Sequence, residues 1–225
     1  MPGSVDFVFL DIGGVLYDDR VYAEAWRRAL REAGATFSDT DFDAEYTAAR
    51  AEQSRSFRRR LASRFLGRDA DLGELERLAS RHWSYPPTAL HDDVVPCLEA
   101  LRDAGYRLGV IANQPSQVRG AMARDGLVGF FEVWGVSEDL GLQKPDPALF
   151  LHALRTAGVE GPRAVMVGDR LDYDVRPARV AGMRTVWVLR GEAPDEPTDA
   201  QLAEAGAAVR DLSELPATLE GLART

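Results

Sequence analysis

Hydrophobic and polar positions follow two regimes along the chain. Short apolar runs rich in β-branched and aromatic residues occur at 5–10, 107–112 (RLGVIA), 131–136 (FEVWGV), 164–168 (AVMVG), 184–189 (RTVWVL) and 207–212 (AAVRDL). Several are apolar at consecutive positions, the pattern of strands covered on both faces. Helical-period stretches lie between most of them, at 94–104 (VVPCLEALRDA), 116–125, 146–157 (DPALFLHALRTA) and 174–181. Strands alternating with helices predict an α/β fold, a Rossmann-like parallel sheet covered by helices.

One interval breaks the rhythm. Residues 19–88 carry no strand pattern, but they hold helical segments around 19–33, 41–66 and 71–83 and end at SYPP (84–87), a strong breaker. The expected organisation is a core of residues 1–18 and 89–225, with 19–88 inserted after the first strand as an all-helical domain of about 70 residues. The segment GEAPDEPTDAQ (191–201) reads as a surface loop.

Composition narrows the function classes. With 225 residues, 45% of them hydrophobic, the chain can bury a full core. No apolar segment approaches the roughly 20 residues that cross a bilayer, and the start MPGSVDFVFLD lacks the basic opening of a signal peptide. Cys97 is the only cysteine, which excludes an intrachain disulfide and multi-cysteine metal sites. The expected setting is the cytoplasm, away from membranes. A net charge of −9 disfavours a nucleic-acid partner. The charge is uneven: between Arg50 and Arg68 lie seven arginines and one acid, Glu52. Such a run reads first as the solvated face of a helix, with one or two side chains available to meet an anion.

In an open parallel sheet, chemistry collects at the carboxyl ends of the strands, near the point where strand order reverses. The first strand ends on Asp11, followed by Gly13 and Gly14, and the second core strand ends on Asn113 and Gln114. The run AVMVG leads to Asp169, Asp172 and Asp174. The turn GLQKPDP (141–147) brings Lys144 just before a helix with Asp146 as its cap and Pro147 in its first turn. Carboxylates gathered at one edge repel one another unless a cation sits among them. Mg²⁺ commonly takes one or two carboxylates together with substrate phosphate and water. Asp11 and Asp169 would supply the carboxylates and the Gly13 carbonyl a further oxygen. Lys144 suits a phosphate as a point charge. Gly13 and Gly14 allow close approach of backbone N–H groups to an anion. An aspartate that attacks phosphorus would split hydrolysis into two displacements through an aspartyl-phosphate.

The run FVFLDIGGVLYD, the IAN ending of the second core strand, the lysine of QKPDP and the segment GDRLDYD (168–174) resemble the four motifs of the haloacid dehalogenase superfamily, in order and with room for a helical cap between the first two. The resemblance spans nearly the whole chain. It implies Asp11 as nucleophile, Asn113 and Gly14 on the phosphate side, and Lys144 as the lysine that stabilises the phosphoaspartate. It further implies Asp169 as a metal ligand, Asp174 as the acid supporting the metal, and Mg²⁺ as cofactor. The implied activity is hydrolysis of a small phosphorylated metabolite by a monomer or homodimer.

Two positions depart from the family pattern. Its phosphatases usually carry a second aspartate two residues after the nucleophile, as general acid and base, where this chain has Gly13; they usually have Ser or Thr before the Asn, where this chain has Ala112. Loss of general acid–base help typically costs about 10²–10⁴ in rate. Asp18, Asp19 and Gln114 are candidates to compensate. The competing readings are a binding protein whose chemistry has eroded at Gly13 and Ala112, and a haloacid dehalogenase. The acids of GDRLDYD argue against the latter, because carbon displacement needs no metal. Cys97 and the four tryptophans read as packing, and His82, His91 and His152 as isolated.

Overall fold

The computed structural model describes residues 5–54 and 57–222. Six strands, β1 Phe7–Leu10, β2 Arg107–Ala112, β3 Val133–Val136, β4 Ala164–Gly168, β5 Arg184–Val188 and β6 Ala207–Val209, form one parallel sheet in the order β3-β2-β1-β4-β5-β6. β1 lies at its centre, with Phe7 opposite Arg107 of β2 on one side and Ala164 of β4 on the other. Strand order therefore reverses at the carboxyl end of β1, where ligand crevices form in such sheets.

The consecutive apolar residues of β1 divide between the two faces, as the two-residue period of a strand requires. Val8 and Leu10 join a core that includes Leu98 and Leu101 of helix α5 (Val94–Asp103) and Leu215 and Leu219 of a C-terminal helix (Leu215–Leu222). Phe7 and Phe9 join the opposite core with Leu149, Phe150 and Ala153 of α8 (Pro147–Ala157). α8 begins as its sequence predicts, with Asp146 accepting from the amide of Ala148 at 2.9 Å and Pro147 next in line.

Between β1 and α5 the described chain holds four helices: α1 Arg20–Glu32, α2 Asp39–Glu52, α3 Phe57–Leu66 and α4 Leu72–His82. Trp26, Leu30, Phe42, Leu75 and Leu78 give these helices an apolar core of their own. The Ser38 hydroxyl and the Asp41 carboxylate cap α2 reciprocally. The single helix expected around 41–66 is two. α2 ends at Gln53, which adopts a left-handed conformation (φ 45°). Its buried side chain donates to the Glu192 carbonyl and accepts from the Leu171 amide, both at 2.8 Å. The break is imposed by contacts with distant segments, which helical periodicity does not announce. The run expected at 207–212 is a strand only to Val209, because Leu212 turns to donate its amide to Asp93 at 2.8 Å. Residues 171–175, after β4, form a π-turn before the short helix α9 (Arg176–Val180). Among the described residues no helix is long and apolar enough to cross a membrane.

Candidate active site

The turn after β1 is built on backbone bonds. The Asp11 amide donates to the Val167 carbonyl at 2.9 Å, and the Leu16 and Tyr17 amides return to the Ile12 carbonyl. Gly14 has φ +68° and lies against Asp169: a Cβ there would sit 2.1 Å from a carboxylate oxygen of Asp169. Glycine is required at position 14 on both counts. The Gly14 amide donates to the Tyr17 carbonyl at 2.7 Å, so the N–H expected to face an anion is committed within the turn.

The turn presents Asp11 to Lys144, which lies in the connection leading into the helix Pro147–Ala157. The Lys144 ammonium lies 2.7 Å from Asp11 and 2.6 Å from Asp174, and the lysine is 3% exposed. Asn113, at the end of β2, holds the backbone of Lys144 from both sides, donating to its carbonyl at 2.8 Å and accepting from its amide at 2.7 Å. One amide hydrogen of Asn113 remains for another partner. The π-turn aims Asp174 inward, where it also accepts from the Arg170 amide at 3.0 Å. Asp169 accepts from the Glu192 amide at 2.6 Å, and its carbonyl accepts from the Trp187 indole at 2.8 Å.

Burial dominates the electrostatics. It pushes the Asp11 carboxyl up to about 7, against the pull of Lys144 and reinforced by Asp174. Burial, followed by repulsion from Asp174 and Asp11, raises Asp169 well above the usual carboxylate range. The Lys144 ammonium is disfavoured by burial, but Asp11 and Asp174 outweigh that penalty and its net shift is upward. Three carboxylates thus lie together, and the Lys144 ammonium pairs with two of them, Asp11 and Asp174. Asp11, Asp169 and Asp174 each offer an oxygen, all within 4.8 Å of one another. An all-oxygen set with excess negative charge fits a hard divalent cation.

Asp11, Gly13, Asn113, Lys144 and Asp169 line a hollow of about 60 Å³, which Arg58 and Tyr22 of the helical segment also enclose. A larger cleft of about 280 Å³ shares Tyr22, Arg58, Asn113 and Gln114 with it and extends past Trp26, Trp83 and Glu138. Most of the arginine run is engaged elsewhere: Arg50 with Ala193 and Asp195, Arg59 with the Ala70 carbonyl, and Arg60 with Glu45 and Glu52. Arg55 lies outside the described residues. Among the described residues of the run, Arg58 alone lines the hollow. Its guanidinium bonds Glu76 at 3.0 Å and stacks over Tyr22.

Other expectations meet varied outcomes. Asp172 is held by Arg170 through two bonds of 2.9 and 2.7 Å and takes no place in the acid trio. Cys97 is buried. The segment 191–201 is not wholly a surface loop: Glu192 is 6% exposed and pairs with Arg170 at 2.7 Å. Sequence reading missed Glu192, because a polar, proline-rich stretch carries no sign that its first residues fold under the sheet edge. The Arg170–Glu192–Asp172 group was missed for the same reason, although the arginine inside GDRLDYD offered a hint.

Residues 5–182 match the family model described as haloacid dehalogenase-like hydrolase. The glyceraldehyde 3-phosphate phosphatase of Methanopyrus kandleri is 33% identical over 202 residues, covering 84% of this chain and 85% of that protein. Among solved structures, an HAD phosphatase from Thermococcus onnurineus aligns with TM-score 0.63 and 27% identity, covering 96% of this chain and 99% of the other. A 2-haloacid dehalogenase from Pseudomonas syringae pv. tomato aligns with TM-score 0.60 and 29% identity over the same shares. The sheet order, the strand-end acids and these matches agree, and the chain belongs to the haloacid dehalogenase-like hydrolases.

Proposed function

We propose that the protein is a Mg²⁺-dependent phosphatase that hydrolyses a small phosphorylated metabolite through an aspartyl-phosphate on Asp11. The observation that carries this reading is the trio Asp11, Asp169 and Asp174, two of whose members pair with Lys144, a donor set suited to a hard cation and a phosphate. A dehalogenase attacking carbon has no need of such a trio. The phosphatase name of the Methanopyrus relative supports the same choice.

In this reading Asp11 is the nucleophile, and Lys144 pulls its carboxyl toward the charged form and then neutralises the phosphoryl group it carries. Asp174 fixes Lys144 from the far side, and Asn113 holds the lysine backbone while its spare N–H meets a phosphate oxygen. Gly14 contributes through the tight turn that brings Asp11 and Asp169 together. Asp11, Asp169, Asp174 and the Gly13 carbonyl would hold Mg²⁺, which would neutralise charge on the transferred group. Residues 19–88 form a cap over a core of 1–18 and 89–225, and the cap supplies Tyr22, Arg58 and Trp83 to the cleft where the rest of the substrate lies. A reducing cytoplasm suits a chain whose one thiol, Cys97, is buried.

The test is phosphate release from a panel of phosphorylated metabolites, with Mg²⁺ and with chelator, beside Asp11→Asn. Turnover that requires both Mg²⁺ and Asp11 is expected. Absence of release from the whole panel, with Mg²⁺ binding intact, would favour a binding protein.

A further inference from the structure

Asp19 stands at the N-cap of α1, yet its side chain does not cap the helix. An N-cap aspartate normally accepts from an amide of the first turn, so Asp19 forgoes a stabilising bond. Its neighbour Asp18 takes the local bonds, accepting from the Arg20 amide at 2.9 Å and the Arg20 guanidinium at 2.6 Å. The Asp19 carboxylate makes no hydrogen bond or ion pair among the described residues, and it turns to the hollow that holds Asp11 and Lys144. A Cβ at Gly13 would lie 2.6 Å from one of its oxygens, and a Cβ at Gly14 2.8 Å from the other. The carboxylate thus fills the space beside the glycine pair where a side chain at position 13 would begin. The other acids there are committed: Asp11 to Lys144, Asp169 to the Glu192 amide, and Glu192 to Arg170 and Tyr46.

We propose that Asp19 is the general acid and base of this site, acting from the start of α1 where Gly13 has no side chain to act. The inference rests on the aspartyl-phosphate reading above. In the first displacement an Asp11 oxygen bonds to phosphorus, the ester P–O bond breaks, and the leaving oxygen takes the proton of the Asp19 carboxyl. In the second, the Asp19 carboxylate takes a proton from water as the water oxygen bonds to phosphorus. The Asp11–phosphorus bond then breaks, releasing phosphate and returning both side chains to their starting states. A side chain at position 13 would meet the Asp19 carboxylate, which would have to turn aside to admit it.

The experiment compares the parent protein, Asp19→Asn and Asp11→Asn on an alkyl phosphate and on nitrophenyl phosphate, whose leaving group needs no proton. For Asp19→Asn, alkyl phosphate turnover is expected to fall about 10²–10⁴-fold, whereas the first-turnover burst of nitrophenolate stays within about tenfold of the parent rate. Equal losses on both substrates, an unchanged alkyl rate, or a raised Mg²⁺ requirement would overturn the proposal. A double variant guards against a folding artefact: Gly13→Asp with Asp19→Ala moves the acid across the gap and is expected to recover alkyl turnover lost in Asp19→Ala. No recovery in a folded double variant would count against the proposal. Activity surviving in Asp11→Asn would instead sink the aspartyl-phosphate reading itself.

Discussion

Replacing Lys144 by methionine tests the charge balance of the site. The ammonium is the cation within ion-pair distance of both Asp11 and Asp174, whose side chains are 13% and 0% exposed. Methionine keeps much of the volume and leaves two carboxylates without a counter-charge. Breaking a buried pair from one side costs about 3–5 kcal/mol, far more than an exposed pair would. The loss should depend on pH in a direction the structure fixes. Asp11 titrates near 3.8 in an unfolded chain and near 7 when folded. Between those values the folded protein holds a proton that the unfolded chain has released. Stability therefore falls as pH rises through that window, by on the order of 4 kcal/mol from this group. Without Lys144 the folded value rises further, and the fall continues above pH 7. Urea unfolding at pH 5 and pH 8 in chelator, at equal m-values, reads both effects. A Lys144→Met variant less than about 1 kcal/mol weaker than the parent at pH 8, or equally weakened at both pH values, would refute the argument.

Three further outcomes follow from particular contacts. Gly14→Ala would drive a methyl group into Asp169 and force a left-handed alanine, with an intrinsic cost of about 1–2 kcal/mol. Titration calorimetry should show Mg²⁺ affinity lost, and retained affinity would contradict the packing. Gln53→Ala would leave the Leu171 amide and the Glu192 carbonyl unpaired, at about 1–3 kcal/mol each in denaturant unfolding. An unchanged midpoint would show that the contact between the helical segment and the sheet edge carries little. Arg58→Ala should raise KM roughly 10–100-fold, with kcat held, for substrates that carry a second anionic group. The same rise for substrates without one would show that Arg58 does not read that group.

Much of this was legible in the sequence because the site lies at strand ends. A run such as FVFLD or AVMVGD announces both the buried strand and the acid it delivers, and parallel topology then brings Asp11 and Asp169 together. Lys144 was legible through its cap, since Asp146 and Pro147 mark a helix start that brings the lysine to the same edge. Contacts that join distant segments were not. Gln53 ends α2 because it bonds residues more than a hundred positions away. Glu192 is buried because a loop folds beneath Asp169. Asp18 and Asp19 are equal in sequence, and the structure separates them: one bonds Arg20, and the other faces the hollow. Local pattern carries which residues a strand delivers, while the division of labour among neighbouring acids depends on packing.

The central claim is that Asp11 itself carries the phosphoryl group. The most direct measurement is rapid acid quench during turnover, followed by mass spectrometry of the peptide that contains Asp11. The account predicts a phosphoryl group on Asp11 that hydroxylamine removes, present with Mg²⁺ and absent both in chelator and in Asp11→Asn. Turnover with no phosphorylated peptide at any quench time, or with the label on another residue, would contradict it.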